Sequence, residues 1–431
     1  MSLGCAVALG AGALNLIPVG FGAGDFLGDL EIDARVVGVA DTSYTQLNTR
    51  ARAFLRQDLG AGASLELGVE ARSYSGKTAF ALTDLLPQAM SDELQATLDS
   101  LQSWGDLFVH AGSGRGGIPN GRLVQATSLD RVRIDRALIR WRSGRFSLDV
   151  GRQPLAWGAG YAWNPTNLFY RKDPFEVARD PEGQDLLLAR WDLGATTGLQ
   201  LAVRPDDRPE DLAAIVRGFS SMAGLDLAAV YGEERLRWMD WSDVGTQGPM
   251  SRPIRWEFEA EDPWVVIFTE EPRHRLAGGE VRGELFGVAL WGEATWNWIE
   301  GKGEYSAWAA GADHVFDTET FAAVEFYHYG LGATPPYGLE DWLKALSGER
   351  SSLGQDYGLA VANHPVGDLD ELTGILLTNL TDESGIAELR WARSLGNDLS
   401  CTAALQWPWG EDGDEFGRLG GGGFLRWSAF F

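Results

Sequence analysis

Cysteine is almost missing from this chain. Two thiols in 431 residues, Cys5 and Cys401, cannot make a disulfide framework, and with Cys5 in a segment open to removal no disulfide is expected. Basic residues are also scarce. Lys plus Arg number 36 against 61 Asp plus Glu, a net charge of -25, which excludes the basic surface that nucleic acid requires. Beyond residue 24 there is no long apolar run, and with a mean hydropathy near zero a helical membrane protein is excluded. No linker rich in Pro, Ser or charge divides the chain, so residues 25–431 are expected to form a single domain. The five histidines (His110, His274, His314, His328, His364) lack any metal spacing, and no serine is placed near His314 or His328. Accordingly no metal, no cofactor and no enzymatic site are expected. Asp412, Asp414 and Glu415 lack the spacing of a calcium loop and read as a solvated external turn.

What is plentiful is glycine (55), tryptophan (18) and phenylalanine (19), and an alternation of polar with apolar residues. The clearest stretch is Arg131 to Asn167. Arg131, Arg133, Arg136, Arg140 and Arg142 alternate with Val132, Ile134, Ile139 and Trp141, with one slip near Asp135-Arg136 that reads as a bulge. Ser143-Gly144 makes a tight turn, and Phe146, Leu148 and Val150 then alternate with Arg145, Ser147 and Asp149. One face of this hairpin is oily and the other charged. The same pattern recurs over most of the chain, with Leu30, Ile32, Ala34 and Val36 opposed to Glu31, Asp33 and Arg35, and with Arg50, Arg52, Arg56, Glu66 and Glu70 on later polar faces. Short turns alternate with long polar connections throughout. These features predict an all-β fold, a transmembrane antiparallel up-and-down barrel of about 16–20 strands with 18 the best count, short periplasmic turns and long external loops. No repeat near 40 residues supports a propeller.

Several segments depart from the alternation. Leu3 to Gly24 carries no charge, and Ala11-Gly12-Ala13 offers a small-residue cleavage site, so residues 1–24 read as a signal segment or as a Gly-rich first strand. Met90, Leu94, Leu98 and Leu101 predict a short amphipathic helix over 88–102. Ile254 to Phe258 and Trp264 to Phe268 read as a hairpin above the rim or as two more wall strands. His314 and His328 read as interfacial.

A second excursion follows Asp149. Gly151-Arg152-Gln153, Trp157-Gly158, Gly160 and Asn164-Pro165-Thr166-Asn167-Leu168-Phe169 resemble a motif of the porin-like and exopolysaccharide-export-like families of bacterial outer-membrane barrels. By the residues alone, Gly, Pro and Trp there would fold a loop inward at the rim. The last strand, with Leu425, Trp427, Ala429 and Phe431 on one face, resembles the signal by which bacterial barrels reach their assembly machinery. Together the resemblances imply a bacterial outer-membrane location, with lipid and that machinery as partners. The inward face is expected to hold Arg50, Arg52, Arg56, Arg131, Arg133, Arg136, Arg140, Glu66, Glu70 and Asp149, as a path for hydrophilic or anionic solute or as a cross-strand ion-pair network. The function expected is a porin-like channel for small hydrophilic solutes. Export or surface anchoring of an anionic exopolysaccharide, and a non-conducting scaffold for a partner protein, are the alternatives.

Overall fold

In the computed structural model of the chain the period of two becomes a run of strands, each antiparallel to its neighbours. Residues 25–39, 42–92, 125–127, 130–177, 179, 181–206, 208–236, 238, 255–259, 262–268, 271–346, 348–396 and 398–431 are described. The strands are β1 (Asp25–Val39), β2 (Thr42–Gly60), β3 (Ala63–Gly76), β4 (Ala79–Ala81), β5 (Gln125–Thr127), β6 (Arg131–Ser143), β7 (Phe146–Gln153), β8 (Gln184–Asp192), β9 (Thr197–Arg204), β10 (Ala213–Met222) and β11 (Leu225–Arg235). They continue with β12 (Arg255–Glu259), β13 (Asp262–Phe268), β14 (Arg273–Leu285), β15 (Val288–Ile299), β16 (Gly303–Val315), β17 (Phe321–Tyr329), β18 (Asp356–Pro365), β19 (Asp370–Asn379), β20 (Ser384–Ser394), β21 (Leu399–Trp409) and β22 (Leu419–Phe430).

Eighteen of these form one sheet, and the pairs β4–β5 and β12–β13 are separate two-stranded ribbons. The strands at 255–259 and 262–268 are therefore a ribbon separate from the barrel wall. The wall closes where β1 pairs with β22, from Asp29 opposite Phe430 to Val39 opposite Leu419. Closure leaves no exposed sheet edge, so every wall strand finds its backbone partners within the sheet.

The two ends of the barrel differ. At one end lie the turns 61–62, 144–145, 193–196, 223–224, 286–287, 316–320, 366–369 and 395–398; at the other lie the long connections 77–130, 154–183, 236–272 and 330–355. Ala61-Gly62, Ala223-Gly224 and Phe286-Gly287 have positive φ at both residues, the turn whose twist matches paired strands. At Phe286-Gly287 that turn separates β14, which ends at Leu285, from β15, which begins at Val288.

The outward face is apolar: Val132, Ile134, Ile139, Val150, Val216, Val281, Val324, Leu376 and Leu405 are all exposed. Aromatics ring this band at both ends. Trp141, Phe146, Trp191, Trp391 and Trp427 stand near the short turns, and Tyr231, Trp296, Trp298, Trp407 and Trp409 near the long loops. An apolar band between two aromatic girdles is the surface a bilayer requires of a barrel. No helix among the described residues is long and apolar enough to cross a membrane.

Of the helix expected over 88–102, residues 88–92 are helical and the rest lies outside the described residues, as does the 1–24 segment. Leu86 and Met90 pack against Tyr337, Trp342 and Leu353 of the 330–355 loop, which holds a helix at Leu339–Leu346. Cys401 is a free thiol and Cys5 lies outside the described residues. His328 pairs with Asp356 at 2.7 Å beside Trp308, at the long-loop end, whereas His314 bonds the Gly287 carbonyl at the short-turn end.

Candidate functional site

The inward face of β1, β2, β3, β6 and β7 carries a ladder of opposite charges that strand register dictates. Asp29 stands opposite Arg52, Glu31 opposite Arg50, Arg52 opposite Glu70, Arg56 opposite Glu66 and Arg140 opposite Asp149. The ion pairs follow: Arg50 reaches Glu31 at 3.0 Å and Asp29 at 3.3 Å, Arg52 reaches Asp29 at 2.7 Å, and Arg56 reaches Glu66 at 3.3 Å. Arg133 pairs with Glu70 at 2.9 Å, Arg136 with Glu66 at 3.2 Å, and Arg140 with Asp149 at 3.1 Å. The slip near Asp135 is a register shift between Gly68 and Val69, and it keeps Arg133 and Arg136 on one face although their spacing is odd. All seven arginines expected to face inward thus have carboxylate neighbours, Arg131 finding Glu182 of the loop below at 3.3 Å.

Across the lumen the wall is different. On β18 and β19 the inward residues are Leu359, Val361, Ile375 and Leu377, all buried, and on β16–β18 Tyr305, Tyr327, Tyr329 and Tyr357 cluster. What buries them is the 154–183 connection, which folds into the barrel. Its first residues, Leu155, Trp157 and Phe169, pack on Leu186, Ala202, Ala213, Ile215, Val230 and Leu276. Gly158, at φ +107°, faces Asn164, which donates its amide to the Trp157 carbonyl at 2.8 Å; a Cβ on Gly158 would stand 2.0 Å from that amide nitrogen. Pro165 and Thr166 follow, and Thr166 is fully buried.

Two wall carboxylates clamp this turn. Glu325 of β17 accepts the backbone N–H groups of Tyr161 (2.5 Å), Ala162 (2.9 Å) and Trp163 (2.9 Å), and the Trp291 indole N–H at 2.5 Å. Glu293 of β15 accepts the N–H of Gly160 at 2.6 Å, the N–H of Thr166 at 3.2 Å and the Thr166 hydroxyl at 2.6 Å. Glu280 stands opposite Glu293 in register and is met by both Nε and Nη2 of Arg217, at 3.1 and 2.7 Å, which offsets the like charge. Lys172 caps the carbonyls of Gly160 and Tyr161 at 2.7 and 3.1 Å, and burial pushes its ammonium below the usual lysine range. Trp163 stacks on Tyr327 with ring centroids 5.2 Å apart.

The loop then follows the inner wall around to the charged side. The Phe175 carbonyl accepts from Arg390 at 2.8 Å, Glu176 pairs with Arg426 at 2.7 Å, and Arg179 pairs with Glu31 at 3.3 Å. Burial alone would raise the Glu176 carboxyl, but Arg426, Arg390 and Arg179 hold it below the usual carboxylate range. Between Phe175-Glu176 and the wall a cavity of about 160 Å³ is lined by Arg35, Glu388, Arg390, Gln406 and Phe424. Arg35, Arg390 and Arg426 all lie within 6 Å of the centre of the Phe424 ring, so three cations neighbour one aromatic ring.

The motif residues fall into two places. Trp157, Asn164, Pro165 and Thr166 build the inserted loop, whereas Arg152 stays on β7 with the parity of exposed Val150 and pairs with Asp185 at 3.5 Å. At the chain end Trp427 faces outward, and Phe431 exchanges both backbone hydrogen bonds with Gly28 at 2.8 and 3.0 Å. The sequence reading missed Glu280, Glu293 and Glu325. A signal exists for Glu293 and Glu325, each the lone acid of its strand at an inward position, but most of their partners are backbone groups over a hundred residues away. The solvated external turn expected at Asp412, Asp414 and Glu415 needs correction at Glu415. Glu415 is turned inward, its carboxylate accepting the Tyr357 hydroxyl at 2.6 Å and the Asn379 amide at 2.8 Å, and burial pushes its pKa up to about 7.

No family model matches the chain, and no curated protein matches it. Solved structures do. A loop-deletion mutant of OmpT, an outer membrane protein of Vibrio cholerae, is 10% identical with a TM-score of 0.43 over 95% of this chain and 99% of that one. OmpF of Salmonella typhi, in a complex with daunomycin, is 11% identical with a TM-score of 0.42 over 95% and 97%. A mutant of the Rh. blastica porin is 9% identical with a TM-score of 0.42 over 95% and 100%.

Proposed function

We propose that the chain is a porin-like channel of the bacterial outer membrane, passing small hydrophilic solutes along the charged sector of its lumen. The observation that carries this reading is the inside-out distribution of polarity. An apolar band with two aromatic girdles lies outside, and a wall of paired arginines and carboxylates lies inside. The inserted 154–183 loop covers the apolar inner sector and narrows passage to the side of β20, β22, β1–β3 and β6. Its clamps are many and buried, so it acts as a fixed constriction. Solute identity would then be set by size first and by the half-exposed arginines second, with Arg56 the most open of them at 52% side-chain exposure.

The test is single-channel recording in a planar bilayer. Small, steady openings are expected from the intact chain, and wider ones after residues 159–175 are replaced by a short Gly/Ser link. A barrel silent in both forms would turn the reading toward a non-conducting scaffold for a partner protein. The arginine sector supports a second reading, export of an anionic polysaccharide. Block of the open current by a long polyuronate, and not by a neutral polymer of equal length, would favour it.

A further inference from the structure

The inserted loop ends, just before β8, in a contact unlike its other anchors. Glu182 enters a group of three guanidiniums on two neighbouring strands. Arg131 Nη2 lies 3.3 Å and Arg72 Nη2 3.4 Å from Oε1, and Arg133 Nη1 donates to Oε2. Register sets the trio, since Arg72 stands opposite Arg131 and Glu70 opposite Arg133. The wall's own acids here are locked: the Glu70 and Asp135 side chains are 3% and 5% exposed, held by Arg72 and Arg133. Asp135 is shared with Arg136 as well, so cations outnumber the wall acids here and Glu182 supplies further negative charge. Yet the Glu182 side chain is 51% exposed and Arg131 is 44% exposed. Two of its three contacts are also long for charge-assisted bonds, which favour about 2.7–2.9 Å. A buried clamp such as Glu325 is closed to solvent, whereas this one stands open at the long-loop mouth.

We propose that Arg72, Arg131 and Arg133 form a carboxylate-binding site at that mouth, occupied by Glu182 as an internal ligand that a solute carboxylate replaces. The shape of the ligand class is given by the group already seated there, a planar two-oxygen anion. Burial works against the charge of Glu182, but Arg133, Arg131 and Arg72 hold its carboxyl below the usual range, so the internal ligand is anionic at neutral pH. A tethered carboxylate competes at an effective concentration on the order of millimolar, so a monovalent acid exchanges poorly. A short oligo-uronate does better, because any of its linked carboxylates can take the one seat, which raises their local concentration there. Displacing Glu182 would leave the Gly183 N–H, which donates to Asp135 at 3.3 Å, as the last anchor of the loop before β8. This deepens the channel reading, since the site matters only where solute enters.

Calorimetric titration of the full chain in detergent tests it without relying on conduction. Trigalacturonate is the probe, maltotriose the neutral control and inorganic phosphate the other oxyanion. Glu182→Gln is expected to bind trigalacturonate about tenfold more tightly than the parent, because the tethered competitor is gone. Adding Arg131→Gln and Arg133→Gln should abolish that binding while the β circular dichroism is kept. Equal affinity in the parent and Glu182→Gln would overturn the proposal, as would binding that survives loss of both arginines. Maltotriose binding as tightly overturns it too, and phosphate matching the trimer overturns the carboxylate assignment. A barrel silent in bilayers would sink the channel reading and leave this titration intact, so the two failures are told apart.

Discussion

At the scale of single residues the lumen arginines divide by burial. The Arg50 side chain is 8% exposed and sits between Asp29 and Glu31, while that of Arg56 is 52% exposed and meets Glu66 at 3.3 Å. Removing a buried cation leaves its partners uncompensated, a cost of about 3–5 kcal/mol, whereas an exposed pair is worth less than about 1 kcal/mol. Arg50→Ala should therefore lower the melting temperature in detergent sharply and leave reversal potentials in a salt gradient nearly unmoved. Arg56→Ala should do the reverse, shifting selectivity toward cations with little change in melting; similar outcomes for the two would refute this division. Glu325 invites a separate expectation. It accepts three successive backbone N–H groups of the loop, which an alanine cannot do. Glu325→Ala should make trypsin cut at Arg171 or Lys172 in an otherwise intact barrel, and resistance equal to the parent would show that the clamp contributes little.

At the scale of elements, the long-loop end is tied together by Glu415 and Asp382. Leu353 and Tyr337 belong to the 330–355 loop, Asp382 to the 380–383 turn and Glu415 to the 410–418 loop. The Asn379 amide lies 2.8 Å from Glu415 and 3.0 Å from Asp382, so two carboxylates face one donor group. The Glu415 pKa of about 7 lies above its ordinary 4.5 because of burial first and Asp382 second. Between these values the folded state holds a proton that the unfolded state has lost. The contribution of Glu415 is thus complete below pH 4.5, declines as pH rises to about 7 and is level above it. Hydrogen-exchange protection in 330–355, taken relative to the intrinsic rate at each pH, should fall across that window, and Glu415→Gln, which keeps a neutral side chain, should flatten the response. The closing strand carries another expectation. Removing Phe430 and Phe431 deletes both backbone bonds between Phe431 and Gly28 and the Phe26 ring contact, centroids 6.2 Å apart, where β1 meets β22. Cells making this truncation should show the chain degraded or periplasmic; normal amounts in the outer membrane would refute a role for this end in assembly.

At the scale of the whole molecule, an exposed apolar band around a closed sheet should make the chain depend on detergent and give circular dichroism dominated by β structure. The same closure explains why strands were legible and the lumen's filling was not. A period of two is a local property, so Val132, Ile134 and Ile139 announce an apolar face and Arg131 and Arg133 a charged one from the sequence alone. The bulge at Asp135 was legible too, since the alternation slips there by one residue. The 254–268 pair was undecidable, because a ribbon and two wall strands have the same period and differ only in their neighbours.

Sequence by itself determined an all-β barrel of about eighteen strands, the alternation of charged and apolar faces along them, and the asymmetry of turns and loops. Tertiary structure alone decided what those groups meet. It set each arginine against its acids through strand register, brought Glu293 and Glu325 to the backbone of residues 160–166, and turned Glu415 inward. The physical reason is range. Alternation is written in neighbouring residues, whereas a carboxylate's partner is fixed by closure of the sheet and by a loop that crosses from one wall to another, as when Glu182 meets Arg72 across 110 positions of chain.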